Sequence, residues 1–259
     1  MSSQKEKAEV FSGLHKPGNP IVLFNIWDAG SAQAVVEAGA RAIATGSWSV
    51  AAAHGYADGE AIPLDFVIEN IRRIVDAVDV PVTLDFEGGY AESPGDLKSN
   101  INRVIEAGAV GINFEDQIVG GEGLYSIEQQ SDRIRAIREA ADEAGVPLFI
   151  NARTDVFLKT LPAPETAEQL DHALGRAAAY AEAGASGLFA PGMRDAELIG
   201  RLCDGSPLPV NIFVIPGVPP NEELARLGVA RISYGPGPYR KMVAWLTAAA
   251  AEVLSARTA

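Results

Sequence analysis

Three short stretches hold the residues best suited to chemistry. In "VTLDFEGGY", Asp85 and Glu87 stand two apart at the end of an apolar run. Alternate residues of a strand share a face, so both carboxylates are expected to project together, with Leu84 and Phe86 on the other side. "INFEDQ" ends a second apolar run in Glu115 and Asp116, and "INARTDVF" supplies Asn151, Arg153 and Asp155. Carboxylates gathered without lysine repel one another unless a cation sits among them, and hard oxygen ligands suit Mg²⁺ or Mn²⁺. A lone Asp-x-Glu would be a capping or solvated pair; the second acidic strand end favours the metal. Arg153 has two open readings, a structural ion pair or a fork for a substrate carboxylate. Thr45-Gly46-Ser47 is either a plain turn or a set of backbone donors for a carboxylate or enolate oxygen.

The elements that must position these groups follow from an internal recurrence. "EAGA" occurs at residues 37–40, 106–109 and 182–185, with "EAGV" at 143–146. Each copy closes an alanine-rich amphipathic segment and precedes a short apolar run, the helix-to-strand half of a βα unit. Eight apolar runs are expected as strands, at 21–26, 42–45, 82–86, 111–114, 148–152, 187–190, 210–214 and 231–234. Helical patterns fall at 30–37, 64–77, 95–106, 127–144, 167–183, 195–203, 221–227 and 239–256. Strict alternation with eight units predicts a single (β/α)8 barrel over residues 1–259. A doubly wound open sheet is the alternative, but no Gly-x-Gly-x-x-Gly follows the first strand. In a barrel the active site lies at the strands' C-terminal ends, where the chemical residues above are placed.

Bulk properties narrow the function. The chain has 259 residues, 47% of them hydrophobic, with 21 basic against 34 acidic residues and a net charge of -13. That balance disfavours nucleic acid and anionic membranes as partners. One cysteine, Cys203, excludes an intramolecular disulfide and a cysteine-based zinc cluster. Absence of a signal-like N-terminus over residues 1–16 and of a long apolar run leads to the expectation of a cytoplasmic protein. His15, His54 and His172 lack the spacing of a metal site or a triad.

Taken in order, "NIWDAGSAQAVVEAGARAIATGSWSVAAAHGYADGE", "VTLDFEGGY", "EAGAVGINFEDQ" and "INARTDVF" resemble the isocitrate lyase and phosphoenolpyruvate mutase superfamily. The resemblance continues through "PVNIFVIPGVP" and "GVARISYGPG". It implies a (β/α)8 barrel whose last helix is exchanged within a homodimer or homotetramer, and Mg²⁺-dependent chemistry on a small 2-oxo acid through its enolate. It further implies that Asp85 ligates the metal directly while Asp58, Glu87 and Glu115 hold it through waters. Arg153 resembles the arginine that pairs with the substrate carboxylate. Thr45, Gly46 and Ser47 match the turn that cradles the pyruvyl unit, and Asn211 matches an asparagine of the distal pocket.

The chain also departs from the family. The loop "EDQIVGGEGLYSIEQQ" lacks the catalytic cysteine motif of the lyases and the basic motif of the phosphonate enzymes. Pro191-Gly192 stands where the lyases have Pro-Glu. Glu122 and Tyr125 are either proton donors brought in by loop closure or ordinary loop residues, with Gly120, Gly121 and Gly123 as hinges. The expected activity is carbon-carbon cleavage or decarboxylation through a pyruvate-type enolate. Phosphonopyruvate mutase or hydrolase chemistry and a non-catalytic 2-oxo-acid binder are the alternatives.

Overall fold

A computed structural model describes residues 3–255. Residues 1 and 2, and Ala256 at the end of the last predicted helix, lie outside the described residues. Eight short parallel strands run β1 (Ile21–Leu23), β2 (Ile43–Ala44), β3 (Val82–Asp85), β4 (Gly111–Glu115), β5 (Phe149–Arg153), β6 (Gly187–Phe189), β7 (Val210–Phe213) and β8 (Arg231–Ser233). Strands β2 to β8 pair in sequence order, β8 pairs with β1, and an isolated parallel bridge from Ile26 to Thr45 joins the β1 and β2 ends. Asn25 fastens this seam: its amide donates to Thr45 O, and its oxygen accepts the Tyr234 and Gly235 N–H groups.

Helices α1 (Gln4–Gly13), α2 (Ala29–Glu37), α3 (Ser47–Ala53), α4 (Leu64–Ala77), α5 (Pro94–Glu106) and α6 (Ile127–Glu143) are followed by α7 (Ala167–Glu182), α8 (Ala196–Gly205), α9 (Asn221–Arg226) and α10 (Gly237–Ser255). The recurrent sequence has a conformational cause. Gly39, Gly108, Gly145 and Gly184 all sit at positive φ one residue past a helix cap, the left-handed exit that turns a helix into the following strand. Side chains of Ser3, Asp28, Ser126 and Thr166 cap the opposite ends of their helices with reciprocal capping boxes.

Two helices were not expected. Helix α1 buries Ala8 and Phe11 at the barrel's N-terminal end, where His15 stacks on Phe149 at 3.9 Å. Helix α3 starts at Ser47, so the small-residue turn is also a helix N-terminus. The strand predicted over 82–86 stops at Asp85, and Glu87 lies at φ +50, outside extended backbone.

Candidate active site

The C-terminal rim encloses a cavity of about 170 Å³ lined by Ser47, Asp58, Asp85, Asn113 and Arg153 among others. Asp85 is held on both oxygens. Oδ2 accepts the Ser47 N–H at 2.9 Å and Oδ1 accepts the Asn113 amide at 3.2 Å, while Thr45 Oγ1 receives the Asp85 N–H. Asn113 is oriented in turn, because its own oxygen accepts from Asn151 and from the buried Arg231. Each Asp85 oxygen keeps a further lone pair for a cation.

Asp58 reaches the same cavity from the loop between α3 and α4, one side open to solvent. Partial burial and the Asp85 charge push its carboxyl upward; the Arg153 charge, the Gly59 N–H and the Ser47 hydroxyl oppose this. Glu87 and Glu115 are buried just behind the cavity wall, at 4% exposure each. Burial, then Asp85 and Asp58, drives Glu87 up to about 8. Burial also raises Glu115, with Arg153 opposing at 2.7 Å. Among the described residues no three Asp, Glu, His or Cys side chains form a ready-made cage. The donor set therefore fits an ion held directly by Asp85 and through waters by the others, the habit of Mg²⁺, which gives up its waters reluctantly.

Arg153 forms the ion pairs of its structural reading. Its fork grips Asp155 with Nε at 2.6 Å and Nη2 at 2.8 Å, and Nη1 meets Glu115. Burial works against its charge, but Glu115 and Asp155 outweigh burial and raise its pKa. The guanidinium still lines the cavity. Asp155 is fixed through its N–H to Asp116, whose carboxylate also binds Arg176 and Tyr180.

The remaining candidates sit elsewhere. Asn211 is buried beneath the cavity, accepting from Ser233 with its own amide nitrogen unpartnered. Glu122 is exposed on the 116–126 loop, and the Tyr125 ring stacks on Arg133 at 4.1 Å in a neighbouring cavity of about 240 Å³. That loop seats Val119 over Gly88 and contributes nothing to the substrate cavity lining.

Glu60 escaped the sequence reading. Its N–H donates to Glu87 Oε2 at 2.7 Å and its Oε1 accepts the Tyr90 N–H at 2.7 Å. Glu60, Glu87 and Tyr90 are the non-glycine residues at positive φ among those described, a clasp of strained backbone beside the acidic cluster. The acidic end of "GYADGE" was the only available signal.

A family profile described as Phosphoenolpyruvate phosphomutase matches residues 11–254. The 2-methylisocitrate lyase of Escherichia coli strain K12 is 31% identical over 252 residues, covering 88% of this chain and 81% of the relative. A solved structure from Burkholderia cenocepacia J2315, with a provisional phosphonomutase designation, superposes with TM-score 0.94 at 49% identity, over 96% of this chain and 99% of its own. A phosphonopyruvate hydrolase solved with oxalate and Mg²⁺ shares the fold, with TM-score 0.83 at 20% identity, over 96% and 87% of the two chains. By its eight-stranded barrel, its acidic rim and these matches, the chain belongs to the phosphoenolpyruvate phosphomutase family within the isocitrate lyase superfamily.

Proposed function

We propose that this protein is a Mg²⁺-dependent lyase that forms a pyruvate-type enolate from a small 2-oxo acid, or from an acid that yields one. The observation that carries the reading is the convergence of Asp58, Asp85, Ser47 and Arg153 on one cavity at the barrel's catalytic rim. Mg²⁺, when bound, would act as a Lewis acid that polarises the 2-oxo group and lowers the energy of the enolate. Asp85 would hold the ion directly, and Asp58, Glu87 and Glu115 would order the surrounding waters. Arg153 fixes the substrate carboxylate by charge-assisted hydrogen bonds, its own plane locked by Asp155. Asp58, next to solvent and pushed upward in pKa, is the group in the cavity placed to exchange a proton with the substrate. Glu122 and Tyr125 take that role only if the 116–126 loop swings over the cavity.

The test follows the methyl signal of pyruvate by NMR in D₂O with the Mg²⁺-loaded protein. Deuterium exchange is expected in the wild type, reduced at least about 100-fold in Asp85→Ala. Exchange undiminished in that variant would refute the site. The 49%-identical Burkholderia cenocepacia protein supports a second reading, phosphonate chemistry. Phosphate release from phosphonopyruvate would establish it. We further infer a homodimer or homotetramer that exchanges α10, because that helix leaves Trp245, Leu246, Val253 and Leu254 exposed.

A further inference from the structure

Resting on the reading of this cavity as a Mg²⁺ and 2-oxo-acid site, we propose that the substrate is a monoanion whose distal end is a short uncharged alkyl group. The wall facing away from the carboxylates consists of Trp48, Leu158, Phe189, Pro191, Phe213 and Pro236. Arg153 is the only cationic side chain among the cavity's lining residues, and the N–H groups it does not give to Glu115 and Asp155 are assigned above to the 2-oxo-acid carboxylate. Arg240 stacks on Trp48 at 4.4 Å, but it is exposed and does not line the cavity.

The apolar wall is built in by backbone. Gly192 sits at φ +97, and a Cβ there would lie 2.7 Å from the Leu158 nitrogen and 2.9 Å from its Cα. No side chain at 192 can enter the cavity without displacing the Leu158 backbone. Gly235, at φ +49, is likewise pressed against the Phe213 ring. The two glycines let Leu158 and Phe213 close the far end.

Charge gives the same answer. Asp58 and Asp85 line the cavity beside the one arginine among its lining residues. A second substrate anion at the far end would be desolvated against aromatic and aliphatic carbon. The cavity of about 170 Å³ equals the space of roughly five or six waters. That is room for a pyruvyl unit and a few carbons.

The experiment is calorimetry on the Mg²⁺-saturated protein with oxalate, pyruvate, 2-oxobutyrate, 4-methyl-2-oxopentanoate, oxaloacetate and 3-phosphonopyruvate. Affinity is expected to rise roughly three- to fourfold per added methylene until the wall is filled. 4-Methyl-2-oxopentanoate is expected to bind at least about tenfold tighter than oxaloacetate, its charged isostere. Leu158→Arg, which places a cation on the partly exposed wall, should reverse that order, while Arg240→Ala should leave it unchanged. Oxaloacetate or phosphonopyruvate binding as tightly as the alkyl acids, with oxalate still bound, would overturn the monoanion proposal alone. Failure of oxalate and pyruvate to bind at all would overturn the site reading on which it rests.

Discussion

Glu87 concentrates the electrostatic problem of this site in one side chain. It is buried beside Asp85 and Asp58 and is pushed up to about 8 from an ordinary glutamate value of 4.5. In the metal-free fold the neutral carboxyl is thus the favoured form. Its stabilising contribution is complete below pH 4.5 and is lost as pH rises through 8. The metal-free protein should therefore melt several degrees lower at pH 8 than at pH 5, and the gain in melting temperature on adding Mg²⁺ should grow over the same window. Scanning calorimetry checks both, and Glu87→Gln should lessen both dependences, leaving the part that comes from Glu115. How much of this was legible depends on the residue. Asp85 and Arg153 could be placed on the cavity from sequence because both stand at strand ends. Glu60 was not, because its role lies in a left-handed backbone and two main-chain hydrogen bonds, which no side-chain pattern announces. Asp85 and Glu87 do come together, but through a turn at Glu87 rather than the shared strand face that spacing suggested.

At the scale of elements, the eight strands and eight of the helices were legible because hydrophobic period and the recurring glycine exit agree. Helix α1 was missed because its sequence, "QKEKAEVFSG", is mostly polar and buries only Ala8 and Phe11. Helix α3 was missed because it begins inside the small-residue turn at Ser47, with no side-chain cap to mark its start. The turn after β6 shows what element packing adds. Pro191-Gly192 read as the loss of a carboxylate; in the fold it is the place where two connections touch, with Leu158 occupying the space a side chain would need. Gly192→Ala combines a left-handed backbone with a clash against main chain. It should destabilise the protein by about 2–4 kcal/mol, or roughly 5–10 °C in melting temperature. The midpoint of urea unfolding should fall with an unchanged slope, because the surface exposed on unfolding is the same. The two glycines of "EGGY" act similarly. A Cβ at Gly88 would meet Val119 at 2.9 Å, and one at Gly89 would meet Leu97 at 2.5 Å. They let neighbouring elements close on the acidic turn.

The whole molecule leaves one element without a bed. Of the nineteen residues of α10, only Pro238 is buried, although the helix carries an apolar series along most of its length. Trp245 is 67% exposed, Leu246 53%, Val253 65% and Leu254 64%. At its root, Pro238 and Met242 border an apolar hollow of about 550 Å³ with Phe24, Trp27 and Val35. Single exposed apolar residues are ordinary, but a contiguous series on one helix marks an association surface. A surface offered equally by every copy favours a closed, symmetric assembly in which each α10 lies on its partner. Sedimentation velocity at micromolar concentration should show a dimer or tetramer for the wild type. The Trp245→Glu, Leu246→Glu double variant should dissociate to monomer, with the dissociation constant raised at least about 100-fold, while circular dichroism at low temperature stays native because neither side chain packs in the barrel core. A wild-type protein that sediments as a monomer at these concentrations would contradict the assembly. A double variant that remained assembled would move the interface off α10. Trp27 and Trp48 both meet Tyr239 at the start of α10, so loss of the partner should also reach the substrate cavity that Trp48 lines, visible as weaker binding of oxalate to the Mg²⁺-loaded variant.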